Sequence, residues 1–209
     1  MEYATAHALY RYRLRVKIQE LGEDDRVVGE FEQVAEVGFD ASGRRRARVL
    51  ENPRTDLLYL DVRRIELTDL EFIPLFILAP EEIPRYQITY LSRERLDEVD
   101  TYLFRLDPRE VPHGLERFFE GVVWVDTNKL DIVRALGRSR STRPRRGALK
   151  GYFERVEIFR EPVDDYLFTT YVGADDVIRV RQGQPVRARL IVRFTNYERV
   201  REPVPARAK

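Results

Sequence analysis

The chain predicts a mainly β (α+β) fold: a strongly curved antiparallel sheet, or incomplete β-barrel, with short helices covering its concave apolar face. Three observations carry that expectation. The first and last regular segments alternate apolar and charged residues without a fault. Short strand-like segments with tight turns fill most of the chain between them. A single stretch, Thr68–Arg85, breaks the alternation with a greasy, proline-interrupted helical pattern.

Tyr10 to Gln19 reads YRYRLRVKIQ. Tyr10, Tyr12, Leu14, Val16 and Ile18 take one face; Arg11, Arg13, Arg15, Lys17 and Gln19 take the other. Period two means a strand with one buried and one wet face. LGEDD then turns the chain. A second strand follows from Arg26 to Asp40, with Phe31, Ala35, Val37 and Phe39 in phase and Glu30, Glu32 and Glu36 opposite. Its acidic outer face would meet the basic outer face of the first strand, and such cross-strand pairs set register at about 0.2–1 kcal/mol each. DASGRR makes the next turn, and a third strand runs to about Leu50.

Thr68–Glu71 has the form of a capping box before an apolar run, so a helix is expected to start at Thr68. Pro74 ends or kinks it early, and Pro80 opens a second short helix. The large apolar residues of this segment, Phe72, Phe76 and Ile77 among them, need a surface to lie on. Further strands are expected at Tyr86–Ser92, Asp100–Leu106, Leu115–Val125, Leu130–Leu136, Tyr152–Arg160, Tyr166–Gly173, Val177–Arg181 and Val186–Tyr197. Residues 138–150 read as a flexible basic loop and residues 199–209 as a frayed tail around a core of about 8–198. One domain accounts for all 209 residues.

Net charge is +1, from 37 basic and 36 acidic residues, which gives no general attraction to nucleic acid or anionic membrane. Cysteine is absent, so disulfides, a thiol nucleophile, Cys-based zinc and an N-terminal lipid-bearing Cys are excluded for this chain. No apolar run approaches the ~18 residues of a membrane span. The N-terminal MEYATAHALYRYRLR admits charge too early for a signal peptide; export would require a signal already removed.

Catalytic residues are scarce. His7 and His113 lack a second histidine at ligand spacing, and Ser42, Ser92, Ser139 and Ser141 stand in no nucleophile motif. Asp164–Asp165 and Asp175–Asp176 could act as acid and base or bind a hard cation, but they stand where turns are expected, and turn carboxylates are the simpler explanation. No catalytic residue, metal site or cofactor is therefore assigned. Trp124 lies two residues before a tight turn, Asp126–Lys129, with Asn128 suited to a positive φ. A lone strand tryptophan is a core or cavity-wall residue far more often than a catalytic one. The aromatic supply is large, with 11 Tyr, 11 Phe and one Trp, many on apolar strand faces. That supply suits a sheet cupping a hydrophobic interior, and equally an ordinary filled core.

Three motifs add a resemblance. Gly121, Trp124, Val125 and Asp126 match a Gly-x-x-Trp-Val/Ile-Asp hairpin. Phe168, Tyr171, Ala174, Asp175 and Asp176 match a later strand, with Thr170 where a proline is usual. Phe194, Thr195, Asn196 and Tyr197 match a closing strand. Together they resemble the outer-membrane lipoprotein-sorting (LolA/LolB-like) superfamily, in particular its bacterial exported members, over roughly residues 10–197. The resemblance implies an incomplete antiparallel barrel with a helical lid over an apolar cavity for acyl chains, and a periplasmic location. Thr68–Arg85 fits the lid.

The function expected on these grounds is a non-catalytic periplasmic carrier or sensor that binds a lipid, or the acyl chain of a lipoprotein. The cavity and lid candidates are Tyr10, Tyr12, Leu14, Phe31, Phe72, Phe76, Ile77, Tyr102, Phe104, Trp124 and Tyr171. The alternative is an envelope protein-interaction module with a filled core and another envelope protein as partner. A hydrolase using the paired aspartates is the third reading.

Overall fold

The computed structural model describes residues 10–39, 45–70, 73, 78, 80–114, 116–142, 149, 152–180 and 183–200. Their strands are β1 (Tyr10–Leu21), β2 (Val27–Phe39), β3 (Arg45–Val49), β4 (Arg54–Thr55), β5 (Tyr86–Leu96), β6 (Val99–Pro108), β7 (Phe118–Asp126), β8 (Ile132–Arg140), β9 (Val156–Val163), β10 (Tyr166–Ile178) and β11 (Val186–Arg199). They form one antiparallel sheet in the order β3-β2-β1-β11-β10-β9-β8-β7-β6-β5, with β4 added to β2. The sheet is not closed; β3 and β5 are its ends. Mainly β and antiparallel, as expected, it joins the chain's first strand to its last at the β1–β11 ladder.

The alternation of β1 is realised in full. Tyr10, Tyr12, Leu14, Val16 and Ile18 are buried, whereas Arg11, Arg13 and Arg15 are exposed. Burial and a hydrogen bond from the Tyr10 hydroxyl to Asp164 Oδ2 (2.7 Å) push that phenol up to about 12. The expected charge pairing with β2 is present at Lys17–Glu30 (2.8 Å) and Arg15–Glu32 (3.4 Å). One face of the sheet carries the core, which draws on Leu14, Val16, Phe31, Leu106, Val123, Ile158, Val172, Leu190 and Val192.

What covers that face differs from the expectation. Among the described residues the capping box at Thr68 opens no α-helix. A single 3₁₀ turn spans Leu67–Leu70, because Asp69 turns its carboxylate back onto the Glu66 N–H (2.7 Å). A second 3₁₀ turn, Pro80–Arg85, leads directly into β5. Phe72, Phe76 and Ile77 lie outside the described residues. Among the described residues the cover is an extended strap over 56–66, whose Leu60, Val62 and Ile65 enter the core together with Leu70 and Ile73.

The strap is pinned by two polar side chains of the sheet. Glu20 lies fully buried, and its carboxylate accepts N–H bonds from Leu58 (2.7 Å), Tyr59 (2.8 Å) and Leu60 (2.7 Å). The Gln33 amide donates to the Ile65 carbonyl (2.7 Å) and accepts the Ile65 N–H (3.0 Å). Gly29 makes room for this contact: a Cβ there would stand 2.9 Å from Glu20 Oε2 and 3.1 Å from Leu57 Cα.

Three further expectations are corrected. Val177 starts no new strand; β10 continues through it to Ile178. Arg138 and Arg140 belong to β8 rather than to a loop, because each pairs across the ladder with Glu120 (3.2 and 3.0 Å). In the β7–β8 turn the positive φ falls on Leu130 (φ +60°), not on Asn128. Asp126 explains the shift, since its Oδ1 takes the Asn128 N–H (2.7 Å) and its main-chain oxygen takes the Leu130 N–H (2.9 Å), which lengthens the turn.

Candidate functional site

The two faces of the sheet separate the eight candidates that lie among the described residues. Tyr12, Leu14 and Phe31 belong to the core cluster. Tyr10 is buried beside them, its ring 4.8 Å from that of Phe168. Tyr12 packs on Phe194 (5.8 Å) and Tyr197 (5.2 Å). These residues sit under closed packing.

Tyr102 and Phe104 occupy a different part of the same face. In β6 Phe104 stands opposite Tyr90 on one side and Val123 on the other, and Tyr102 stands opposite Val125. The rings of Tyr90, Tyr102 and Phe104 meet edge to face, at 5.7 Å for Tyr90–Phe104, 6.3 Å for Tyr102–Phe104 and 6.4 Å for Tyr90–Tyr102. Tyr90 remains 56 % exposed and Ile88, two residues back, 39 %. Phe104, Val125 and Ile132 are half-buried and pack against the core. The result is an open aromatic ledge on β5–β8, continuous with the core on one side.

The ledge ends in charge. Arg93 stands opposite Tyr102, and Arg95 opposite Asp100. Arg93 pairs with Asp100 (3.2 Å), whereas Arg95, among the described residues, bonds only the main-chain oxygen of Asp97 (3.2 Å). Sequence reasoning chose Tyr102 and Phe104 but missed Ile88 and Tyr90. Their signal is the phase of β5, YQITYL, in which Tyr86, Ile88 and Tyr90 alternate.

Trp124 and Tyr171 are elsewhere. Val123 faces the core, so Trp124, its neighbour in β7, faces the opposite side. A row of directly paired residues, Trp124, Arg134, Phe159, Tyr171 and Arg193, crosses five strands on that outer face. Arg134 lies 4.4 Å above the Trp124 ring and 5.2 Å from that of Phe159; Arg193 lies 5.7 Å from that of Tyr171. Trp124 Nε1 donates to Glu94 Oε2 (3.0 Å), and Arg134 is ion-paired with Glu157. Trp124 is buried, as a hairpin anchor should be, by cation–π stacking instead of by the core on the other face.

The paired aspartates do not converge. Asp164 and Asp165 are at the β9–β10 turn, whereas Asp175 and Asp176 lie near the far end of β10, nine and ten residues past its start, ~30 Å along an extended strand. Asp175 pairs with Arg189 (2.8 Å), and Asp176 accepts the Phe153 N–H (2.9 Å). Among the described residues no group of three or more His, Asp or Glu is placed to hold a metal ion. No described helix is long and apolar enough to cross a membrane.

No protein-family model and no curated protein matches the sequence. Solved structures similar to the chain include a DUF1329 family protein from Desulfovibrio piger (14 % identity, 95 % of this chain and 88 % of that one, TM-score 0.42). They also include an outer membrane lipoprotein-sorting protein domain from Vibrio parahaemolyticus (9 %, 98 % and 92 %, TM-score 0.38). A third is a LolA superfamily protein from Nitrosomonas europaea (13 %, 97 % and 94 %, TM-score 0.34).

Proposed function

We propose that the protein is a non-catalytic carrier or sensor for an acyl chain, of a lipid or of a lipoprotein, that acts in the periplasm or another exported compartment. The acyl chain lies on the ledge formed by Ile88, Tyr90, Tyr102, Phe104, Val125 and Ile132. The observation that carries this is the exposure of Tyr90 and Ile88 on the same face as the core. Contiguous apolar surface of this kind marks a ligand or partner site. Transfer of a chain from water contributes about 0.8 kcal/mol per buried CH₂, so long chains bind best. Arg95, with no carboxylate partner among the described residues, stands at the ledge's end, where an anionic head would lie. Phe72, Phe76 and Ile77, in the segment that leads to β5, are the lid residues of this proposal. The motif resemblance supports the exported location.

Native mass spectrometry with lipid extraction tests the proposal. The expected result is a co-purified acyl lipid, and palmitate binding weakened by roughly tenfold or more in Phe104→Asp, the loss of about 1.4 kcal/mol. An unliganded protein that also ignores palmitate would overturn it. That result would favour the second reading, a protein-interaction module. Its specific support is β5, an end strand with one edge unpaired among the described residues, along which another protein's strand can add.

A further inference from the structure

The outer face of the sheet holds a second candidate site, where β10 and β11 part. Their ladder runs from Ile178↔Val186 to Tyr171↔Arg193 and stops there. Beyond it, Tyr166–Thr169 stay paired with β9, and Phe194 onward with β1. An irregularity marks each side of the fork. A register shift between Thr169 and Tyr171 makes Thr170 the extra residue, and Asn196 takes a left-handed φ of +55°. Such bulges release main-chain groups from the ladder. The Tyr197 hydroxyl ties the fork together through the Thr169 carbonyl (2.6 Å), and its ring stacks on Phe168 at 4.6 Å.

A cleft of about 390 Å³ occupies the fork, within the size range of small-ligand sites. Glu161, Val163, Thr170, Tyr171, Arg193 and Asn196 are among the residues that line it. Two features mark it. Along much of the outer face opposite charges pair across strands: Arg134 with Glu157, Arg138 and Arg140 with Glu120, Arg189 with Asp175, Lys17 with Glu30. Arg193 and Glu161 have no such partner among the described residues. Arg193 even stands opposite Arg15 in the β1–β11 ladder, a like-charge pairing that costs stability. The second feature is the Thr170 hydroxyl, whose oxygen is buried and makes no hydrogen bond. Leaving a buried polar group unmet is unfavourable, and a rotation of the Thr170 side chain toward the cleft would let a ligand atom meet it.

We propose that this cleft binds short peptides with free ends, the carboxylate on Arg193 and the ammonium on Glu161. Arg193, steadied by the Tyr171 ring, presents the planar donor pair that carboxylates match. Thr170 and Asn196 supply further polar contacts, and Val163 and Tyr171 an apolar wall. The spacing fits. Glu161 is two strands from Arg193 and two residues beyond the Phe159–Tyr171–Arg193 row, which puts their Cα atoms ~12 Å apart. Both side chains shorten that span, and a di- or tripeptide covers it at ~3.5 Å per residue. Glu161 also disfavours phosphate and sulfate, which lack a cationic end.

The test is nuclear magnetic resonance titration of the intact chain with Ala-Phe, its N-acetyl form and its C-terminal amide, with inorganic phosphate as control. Ala-Phe is expected to shift resonances of residues 161–163, 170–171 and 193–197 and to bind roughly tenfold or more tighter than either blocked form. Arg193→Gln should remove the preference over the amide, and Glu161→Gln the preference over the acetylated form. Thermal unfolding reports whether each variant is folded; should Arg193→Gln fail to fold, Thr170→Val carries the test, with weaker Ala-Phe binding expected. Equal binding of the three peptides, phosphate binding as tight as Ala-Phe, or no shifts at about 10 mM peptide would each overturn the proposal.

Discussion

Trp124 shows how a single residue can be placed correctly in kind and wrongly in direction. The sequence marks it as a hairpin anchor, and it is buried. Its face was not legible, because the apolar run VVWV around it has no period-two contrast. Only the ladder, which sets Val123 against Ala135 and Trp124 against Arg134, decides between the faces. Its environment leads to a definite energetic expectation. Trp124→Ala removes a large buried ring together with its stacking on Arg134, and should cost about 3 kcal/mol, the low end for aromatic truncation because a cation rather than a core covers one side. Trp124→Phe keeps the ring but leaves Glu94 without its indole donor, and should cost about 1 kcal/mol. Urea unfolding measures both, and a Trp124→Ala variant as stable as the parent would contradict the stacked anchor. Palmitate binding should survive in both variants, since neither touches the ledge.

Among the elements, the strands were legible and the strap was not. Strands announce themselves by alternation, and β1 and β11 do so without interruption. The strap over 56–66 is extended, irregular and held by side chains from distant strands, so no local pattern reveals it. One signal was available in hindsight: Glu20 is in phase with Tyr10 through Ile18, and an acid on the apolar face of a strand must have donors waiting for it. Those donors are the N–H groups of Leu58, Tyr59 and Leu60. Leu58 and Tyr59 are exposed, so water can replace the carboxylate at their amides; Leu60 is buried, and its amide cannot be rescued in that way. Glu20→Ala should therefore cost about 2–4 kcal/mol, the loss of bonds to a charged acceptor plus one stranded donor. Hydrogen exchange should show the 58–60 amides losing protection while β7 keeps its own. Uniform loss across the sheet would mean that Glu20 supports the fold as a whole and not the strap.

For the whole molecule, the core-bearing face of the sheet divides into a covered part and an open part. Under the strap, Leu60, Val62 and Ile65 meet Leu14, Val16, Phe31 and Val192 in one packed cluster. Beyond it, on β5–β8, the same face is open at Ile88 and Tyr90. A ligand that entered under the strap would have to displace its residues, an apolar-for-apolar exchange, and break the Glu20 and Gln33 bonds as well. A ligand on the ledge breaks none of the Glu20 and Gln33 bonds. A tether separates the two routes. With no cysteine of its own, the chain can carry Gln33→Cys and Ile65→Cys joined through disulfides to a short two-thiol linker, which spans the gap that the Gln33 side chain bridges to the strap backbone. Oxidation should slow exchange of the 58–65 amides, because it holds the strap on β2. Palmitate affinity should stay the same to within about twofold, ~0.4 kcal/mol, between the oxidised and reduced forms. If oxidation instead blocks uptake until the disulfides are reduced, the acyl chain enters beneath the strap, and the ledge is at most its landing place.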